Sequence, residues 1–339
     1  MSRFLSHDQT KADLTEYLAE KTPEYNSDST KVVVVSASGR TSSNRGPQFA
    51  ANNHDEADTL MIQQAIAASQ QHTGDIELTI FSPDTDVLVL AIANYHLLPR
   101  HTSISMASSI VKIEPIWKAL GEERAQALPA FHAFTGADNT GRFARHGKAK
   151  WFQCYLKADD DMVDTFAMLC KDAELSEDLY TTLARFVCSG YCPSGVNISS
   201  IPELRWHLFC KNMAENDKLP PTVGALRQHI MRVHIQACVW GQAAISQQTF
   251  LDPLKNGFHK DTSGQLKPTT TDILPAPKAI IEMIRCQCKT ECSSQRCSCR
   301  AKNLTCTDLC MCSTSCENDE DSNIERHDHD SDDDDGNDE

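Results

Sequence analysis

The sequence has no long uninterrupted apolar segment. The longest apolar run, Val87 to Leu98, contains Asn94 and His96 and is too short to span a bilayer. The first ten residues, MSRFLSHDQT, contain no apolar stretch of the kind found in secretory signal peptides. We therefore expect no membrane partner and an intracellular, reducing environment.

Three common catalytic motifs are also missing. The chain has no P-loop, no glycine-rich dinucleotide-binding motif and no Gly-x-Ser-x-Gly nucleophile elbow. The sequence therefore gives no support for three enzyme classes: P-loop nucleotide hydrolases, Rossmann-fold dehydrogenases and serine hydrolases of the α/β-hydrolase fold.

Positive charge is scarce, but the imbalance is local. Of the formal net charge of −15, residues 317–339 carry −12, because they hold thirteen acidic residues and one arginine. The other 316 residues sum to about −3, which is ordinary for a soluble protein and no argument against nucleic-acid binding. A segment so acidic cannot bury a core, so the tail is predicted to be disordered.

Cysteine, in contrast, is abundant and clustered. Nine of the fifteen cysteines fall in one segment, with the spacing C-x-C-x3-C-x4-C-x-C-x6-C-x3-C-x-C-x3-C. In a reducing compartment this density favours metal binding over disulfides. About three tetrahedral zinc ions need twelve ligand positions, which nine sulfurs fill if three of them bridge two ions each. The predicted zinc ligands are Cys286, Cys288, Cys292, Cys297, Cys299, Cys306, Cys310, Cys312 and Cys316.

Hydrophobic periodicity predicts an α/β arrangement followed by helices. The predicted elements are a helix at 8–21, a short buried strand at 32–35, a loop at 37–54, a helix at 55–71, and strands at 78–81 and 87–93. Both later strands are continuously apolar, as in a buried parallel sheet flanked by helices. From 112 to 250 the pattern is mostly helical.

Changes in composition predict five regions along the chain. These are an α/β domain at 1–150, a helical extension at 151–250, a Pro/Thr-rich linker at 251–284, the cysteine module at 285–316 and the acidic tail at 317–339.

Acidic residues recur at three places in the first region. Glu56 and Asp58 open a predicted helix, Asp84 and Asp86 lie beside a predicted strand, and Asp138 lies in a glycine-containing stretch. Such positions can converge at the edge of a sheet, where Mg²⁺ or Mn²⁺ offsets the repulsion between carboxylates. Helix capping and a plain turn are the structural alternatives for the individual motifs.

The ordered motifs HDEADT, SPDTD, TGADNTGRF and HGK resemble the flap endonuclease/XPG group of PIN-like nucleases, over roughly residues 30–150. The resemblance implies a PIN-like fold and a Mg²⁺- or Mn²⁺-dependent phosphodiesterase, with the five acids as catalytic metal ligands. It also implies that Arg145 and Lys148 contact phosphates. The family carries further aspartates on N-terminal strands, whereas Ser36 follows the Lys31–Val35 run here. The domain is therefore an active nuclease, an N-terminally incomplete one, or one that has lost catalysis.

The cysteine spacing resembles one CXC repeat of the tesmin-type family, a zinc-thiolate DNA-binding module. The resemblance implies that Arg296, just before the middle C-x-C pair, enters the minor groove, whose negative potential suits arginine. Arg300, Lys289 and Lys302 add to a positive face of the module. DNA is the expected partner and RNA an alternative.

These features predict a nucleic-acid-binding protein that is intracellular, with a nuclear location favoured over a cytoplasmic one. The alternative is a non-enzymatic, zinc-containing scaffold that mediates contacts between proteins.

Overall fold

The computed structural model describes most of the chain between residues 7 and 318. The described residues are 7–37, 39–45, 51–72, 74–171, 173–212, 219–271, 285–289, 291–302, 304–307, 310–312 and 316–318. The chain divides into two compact units, Met1–Asp272 and Ile273–Glu339. The first unit is mixed α/β, and the second contains the cysteine segment. Most of the acidic tail, predicted to be disordered, lies outside the described residues.

The first unit opens with a helix and a hairpin. Helix α1 (Asp8–Tyr25) is one turn longer than predicted. Strands β1 (Val34–Ala37) and β2 (Arg40–Ser43) form an antiparallel pair, and Gly39, at φ +72°, supplies the left-handed backbone of the tight turn. The predicted buried strand is therefore half-buried, and part of the predicted loop pairs with it.

A small mixed sheet follows. Helix α2 (Ala57–Gln70), predicted from the sequence, leads into β3 (Glu77–Phe81), β4 (His101–Met106) and β5 (Ser109–Lys112). Strand β4 lies between its two neighbours and runs parallel to β3 and antiparallel to β5. The described sheet thus contains one parallel and one antiparallel pair of strands, whereas the sequence predicted a parallel sheet flanked by helices.

The segment predicted as a strand at 87–93 is instead helix α3 (Thr85–Ala93). Val87 and Leu90 are 0% exposed, and a run that is apolar on all sides has no periodicity that separates a buried helix from a buried strand. The Asp84 side chain caps the helix by accepting a hydrogen bond of 2.9 Å from the Asp86 N–H. Both acids consequently lie at a helix start.

Beyond this sheet the unit is helical, as predicted. The helices are α4 (Ile113–Leu120), α5 (Glu122–Phe134), α6 (Lys148–Leu156), α7 (Asp160–Leu169), α8 (Glu177–Tyr191), α9 (Ile201–Asn212) and α10 (Val223–Gly241). Helix α5 packs against α3, α7 and α10. Its Phe131 and Phe134 side chains belong to the same buried core as Trp151 and Phe166. No helix in the described part of the chain is long and apolar enough to cross a membrane.

The first part of the segment predicted as a linker is folded onto α10. Strands β6 (Phe258–Lys260) and β7 (Leu266–Pro268) form a hairpin. Arg232 on α10 donates hydrogen bonds from Nη1 to the carbonyl oxygens of Gly257 (3.1 Å) and Thr269 (2.6 Å). A Cβ at position 257 would lie 2.7 Å from a carbonyl oxygen of α10, so this approach requires glycine.

Candidate carboxylate and cysteine sites

Five acidic side chains meet near the first turns of α2 and α3; together we term them the carboxylate cluster. They are Glu56, Asp58, Asp84, Asp86 and Asp138. The two helices pack against each other, and α5, which packs on α3, ends just before the Asp138 loop. The motifs that the sequence analysis singled out are thereby brought within electrostatic reach of one another.

Asp58 shows how strongly these charges interact. Partial burial, followed by repulsion from the other four carboxylates, raises the pKa of Asp58 to about 6. Glu56 and Asp86 are also half-buried, whereas Asp84 and Asp138 are exposed. The cluster therefore has three partly buried acids, Glu56, Asp58 and Asp86, and two acids that face solvent, Asp84 and Asp138.

Helix α10 holds one of the partly buried acids, Glu56, in place. Glu56 accepts a hydrogen bond from Gln236 Nε2 at one carboxylate oxygen and from Trp240 Nε1 at the other, each of 2.8 Å. Gln236 Oε1 in turn accepts from Asn139 Nδ2 at 3.2 Å and so connects the Asp138 loop to Glu56. Sequence reasoning missed both α10 residues, because no local motif marks them.

A histidine links a second acid to the predicted phosphate-contacting lysine. His132 Nε2 lies 2.8 Å from Asp86 Oδ1, and both side chains are sheltered, with exposures of 9% and 14%. Lys148 Nζ lies 2.7 Å from His132 Nε2 and 3.0 Å from His132 Nδ1. The ammonium group of Lys148 therefore lies against the imidazole ring, whose Nε2 also faces Asp86.

Lys148 is thus positioned above the carboxylate cluster. Its side chain is exposed along part of its length, but burial of the ammonium group lowers the pKa of Lys148 to about 8, against the opposing attraction of Asp86. Arg145, in the same turn, is exposed and has a positive φ of 65°. The sequence pattern gave no reason to select His132, the residue that seats the lysine.

The donor chemistry of the carboxylate cluster suits a hard cation. Carboxylate oxygens are the preferred ligands of Mg²⁺ and Mn²⁺, and the excess negative charge on Asp58 is what a bound cation relieves. Among the described residues, however, the sets of three or more side chains with ligand atoms within 4.8 Å of one another consist of cysteines only. Carboxylates that share one ion would have to move closer together.

The nine cysteines of the second unit form the cysteine cluster, and seven of their sulfurs lie close enough together to share tetrahedral metal ions such as zinc. Sulfurs bound to zinc at about 2.3 Å form a tetrahedron with edges of about 3.8 Å. The Cys286–Cys292, Cys286–Cys306 and Cys297–Cys306 sulfurs are separated by 3.8, 3.9 and 3.8 Å. These distances fit ligands of a common tetrahedral ion, and all of the cysteines are free thiols.

Three overlapping quartets of sulfurs lie within the cysteine cluster. They are Cys286, Cys292, Cys297 and Cys306; Cys286, Cys306, Cys310 and Cys312; and Cys292, Cys306, Cys312 and Cys316. Cys306 belongs to all three, so its sulfur lies at the centre of the arrangement. Cys288 and Cys299 are outside the quartets, although Cys299 Sγ is 3.6 Å from Cys310 Sγ. The cluster can hold metal ions such as zinc.

Backbone N–H groups favour ionisation of two thiols of the cysteine cluster, Cys297 and Cys310. Although burial opposes it, hydrogen bonds from the backbone N–H groups of Arg300 and Cys299 help to lower the pKa of Cys297 to about 6. The metal ligand is the thiolate, so these backbone hydrogen bonds favour the ligating form of Cys297.

The predicted DNA-contacting residues of this unit differ in their surroundings. Arg296, Lys289 and Lys302 are exposed. Arg300 is half-buried and donates from Nη2 to the Glu317 carbonyl oxygen at 2.8 Å, so part of its guanidinium is already engaged. Arg296 is therefore the better placed of the two arginines to reach a partner.

Comparison with protein-family models, curated proteins and solved structures finds no match for this chain. The resemblances to the PIN-like nucleases and to the CXC module therefore rest on the sequence motifs alone.

Repulsion within the carboxylate cluster predicts a pH-dependent stability. The folded-state pKa of Asp58 is raised from 3.8 to about 6, so the folded protein holds this proton more tightly than the unfolded chain does. The stabilisation that results is present at low pH and is lost as the pH rises through 6, where the Asp58 carboxylate becomes charged beside the other acids. At pH 7.5 without divalent cations, we expect Asp58→Asn to raise the free energy of unfolding by about 1 kcal/mol, a value reduced for solvent screening. Urea unfolding at pH 4 and pH 7.5 tests this, and the gain should shrink at the lower pH.

Asp55→Asn is the matched control, because Asp55 is exposed and is not among the four carboxylates that raise the pKa of Asp58 most. Equal stabilisation by the two variants at pH 7.5 would contradict repulsion within the cluster.

The overlap of the quartets predicts unequal roles for the cysteines. Cys306→Ser removes a ligand from every quartet, whereas Cys288→Ser removes a ligand from none. Metal analysis of the purified full chain should show that Cys306→Ser loses at least about one more zinc ion per chain than Cys288→Ser. Equal zinc content in the two variants would exclude a central role for the Cys306 sulfur.

Proposed function

We propose that this chain binds nucleic acid and hydrolyses phosphodiester bonds at the carboxylate cluster, with Mg²⁺ or Mn²⁺ as cofactor. The observation that carries the proposal is the convergence of five acids from three separate segments, beneath a lysine. Acids that served only to cap helices would not need to lie together at a cost in repulsion. The order of the motifs, which resembles that of the flap endonuclease/XPG group, supports the same function and a PIN-like fold.

The carboxylates and Lys148 have different roles in the proposed reaction. A divalent cation held by these carboxylates would activate a water molecule and stabilise the departing oxygen. Glu56 is oriented for ligation by its two α10 donors, and Asp86 by His132. The Lys148 ammonium group, which contacts His132, would bind a non-bridging phosphate oxygen.

We further propose that the cysteine cluster binds zinc and that its unit binds DNA through Arg296. The quartets supply the zinc ligands, and the exposed Arg296 precedes Cys297, a member of the first quartet. A role on DNA favours a nuclear location. If the unit instead serves contacts between proteins, the scaffold alternative replaces this part of the proposal.

The nuclease activity is tested by removing one charge without removing a helix cap. Asparagine at position 84 can still accept the hydrogen bond from the Asp86 N–H. We expect the full chain to cleave branched DNA with Mn²⁺ and Asp84→Asn to cleave it at least about 100-fold more slowly, because a charged ligand is lost. Gel assays of cleavage rate provide the measurement.

Asp75→Asn is the control for this experiment, because Asp75 is exposed and lies outside the cluster, 3.7 Å from His101. No Mn²⁺-dependent cleavage by the unsubstituted chain, or equal rates for all three proteins, would refute the nuclease activity.

DNA binding by the cysteine unit is tested separately. Arg296→Ala should weaken binding to an A-tract duplex about tenfold and reduce the salt dependence of binding by about one phosphate contact. The exposed neighbour Gln295 provides a neutral control as Gln295→Ala. Fluorescence anisotropy at several salt concentrations measures both quantities. Unchanged binding by Arg296→Ala would favour the scaffold alternative.

A further inference from the structure

Three arginines from three different elements line one cavity of the first unit. Arg142 lies in the turn between α5 and α6, Arg205 on α9 and Arg232 on α10. The cavity has a volume of about 330 Å³, within the range of about 300 to 1,000 Å³ typical of sites for small molecules. Its wall also includes the nearly buried side chains of Phe143 and Tyr191, which are apolar over most of their surface.

The positive charge of this cavity is not compensated by the protein. None of the described residues that line it is acidic, and none of the three arginines forms an ion pair within the described part of the chain. Burial lowers the pKa of Arg205 and of Arg232, with no neighbouring acid to oppose the shift. Guanidinium groups stay charged in proteins, so the cavity carries three positive charges and no acidic residue in its described wall.

The neutral histidine of the cavity does not add to this charge. His229 is nearly buried, and burial lowers its pKa to about 4 against a hydrogen bond to the Phe134 carbonyl oxygen. That oxygen lies 2.8 Å from Nε2, so Nε2 carries the proton and Nδ1 remains an acceptor. The cavity thus combines positive charge with one neutral acceptor.

Two of the arginines are oriented by single nitrogen atoms. Arg205 donates from Nη1 to the Pro220 carbonyl oxygen, and Arg232 donates from Nη1 to the carbonyls of Gly257 and Thr269. A guanidinium group has five N–H donors in a planar fork, so donors remain on both residues. Planar forks of this kind match the oxygens of a phosphate group.

Arg142 connects the cavity to the carboxylate cluster. Its aliphatic stem covers Gly136, in the loop that leads to Asp138, so closely that a Cβ at position 136 would collide with it. Its positive charge also contributes to the lowered pKa of Lys148. A chain of phosphates that passes Lys148 would therefore meet Arg142 next.

We propose that this cavity binds one nucleotide unit of the nucleic-acid strand, with its phosphate on the three guanidinium groups and its nucleoside against the apolar wall. The inference deepens the proposed function, because it places part of the substrate beside the carboxylate cluster. A bare phosphate would leave most of the cavity empty, and a nucleoside alone would leave the arginines without an anion.

Titration with thymidine 5′-monophosphate, followed by phosphorus NMR without added Mg²⁺ or Mn²⁺, tests this proposal on the full zinc-containing chain. We expect Arg142→Gln and Arg205→Gln each to weaken binding of the nucleotide about tenfold. Arg142 is exposed, so its variant has little reason to misfold, and thermal unfolding checks Arg205→Gln. Arg100→Gln is the matched control, because Arg100 is exposed and pairs with Glu114.

Competition experiments identify what the cavity recognises. Inorganic phosphate and thymidine should each bind at least about tenfold more weakly than the nucleotide, because each makes only part of the contacts. Phosphate that binds as tightly as the nucleotide would overturn the nucleotide assignment. Unchanged nucleotide affinity in Arg142→Gln and in correctly folded Arg205→Gln would overturn the cavity altogether.

The same variants separate this proposal from the nuclease activity. Asp84→Asn should lose cleavage and keep nucleotide binding, whereas Arg142→Gln should lose nucleotide binding. Arginine-dependent nucleotide binding in a chain that cleaves no DNA would support the cavity and refute the nuclease. For a single-stranded oligothymidylate, each arginine variant should also reduce the slope of log affinity against log salt by about 0.7.

Discussion

Repulsion among five carboxylates is the constraint on which the rest of the candidate site depends. The positive ends of α2 and α3 favour acids in their first turns, yet the pKa of Asp58 still rises to about 6. The protein meets this repulsion with neutral donors from Gln236 and Trp240 at Glu56, and with His132 and Lys148 beside Asp86. Neutral donors stabilise individual carboxylates without cancelling their charge, so the cluster as a whole keeps its excess of negative charge.

The sequence predicted the acids of this site but not the groups that hold them. The acids lie in short local motifs, and the order of the motifs is readable without knowledge of the fold. Glu56, in contrast, meets its donors across 180 and 184 residues, and Asp86 meets His132 across 46. These donors lie on α10 and α5, so they reach the acids only because the two helices pack beside them in the folded chain. The error at α3 has the same origin, since a helix buried on every side leaves no polar stripe in the sequence.

The two clusters differ in how much their sequence could disclose. Every sulfur of the cysteine cluster comes from one segment, so the spacing alone predicts a metal site, and the quartets agree with it. The spacing could not single out Cys306 as the shared ligand, because that depends on how the short loops cross. The arginine cavity is the opposite case. Its three charges lie on separate elements with no common motif, and only the folded chain brings them together.

The hydrogen bonds from α10 to Glu56 bear on how such a protein can evolve. The acidic motif at 54–58 and the helix at 223–241 are far apart in the chain, yet each carboxylate oxygen of Glu56 depends on that helix. Recombination that joined the N-terminal half to a different C-terminal half would separate the two. The region from the acidic motif to α10 therefore has to be inherited as one block, whereas the cysteine segment, whose ligands are all local, can be gained or lost as a cassette.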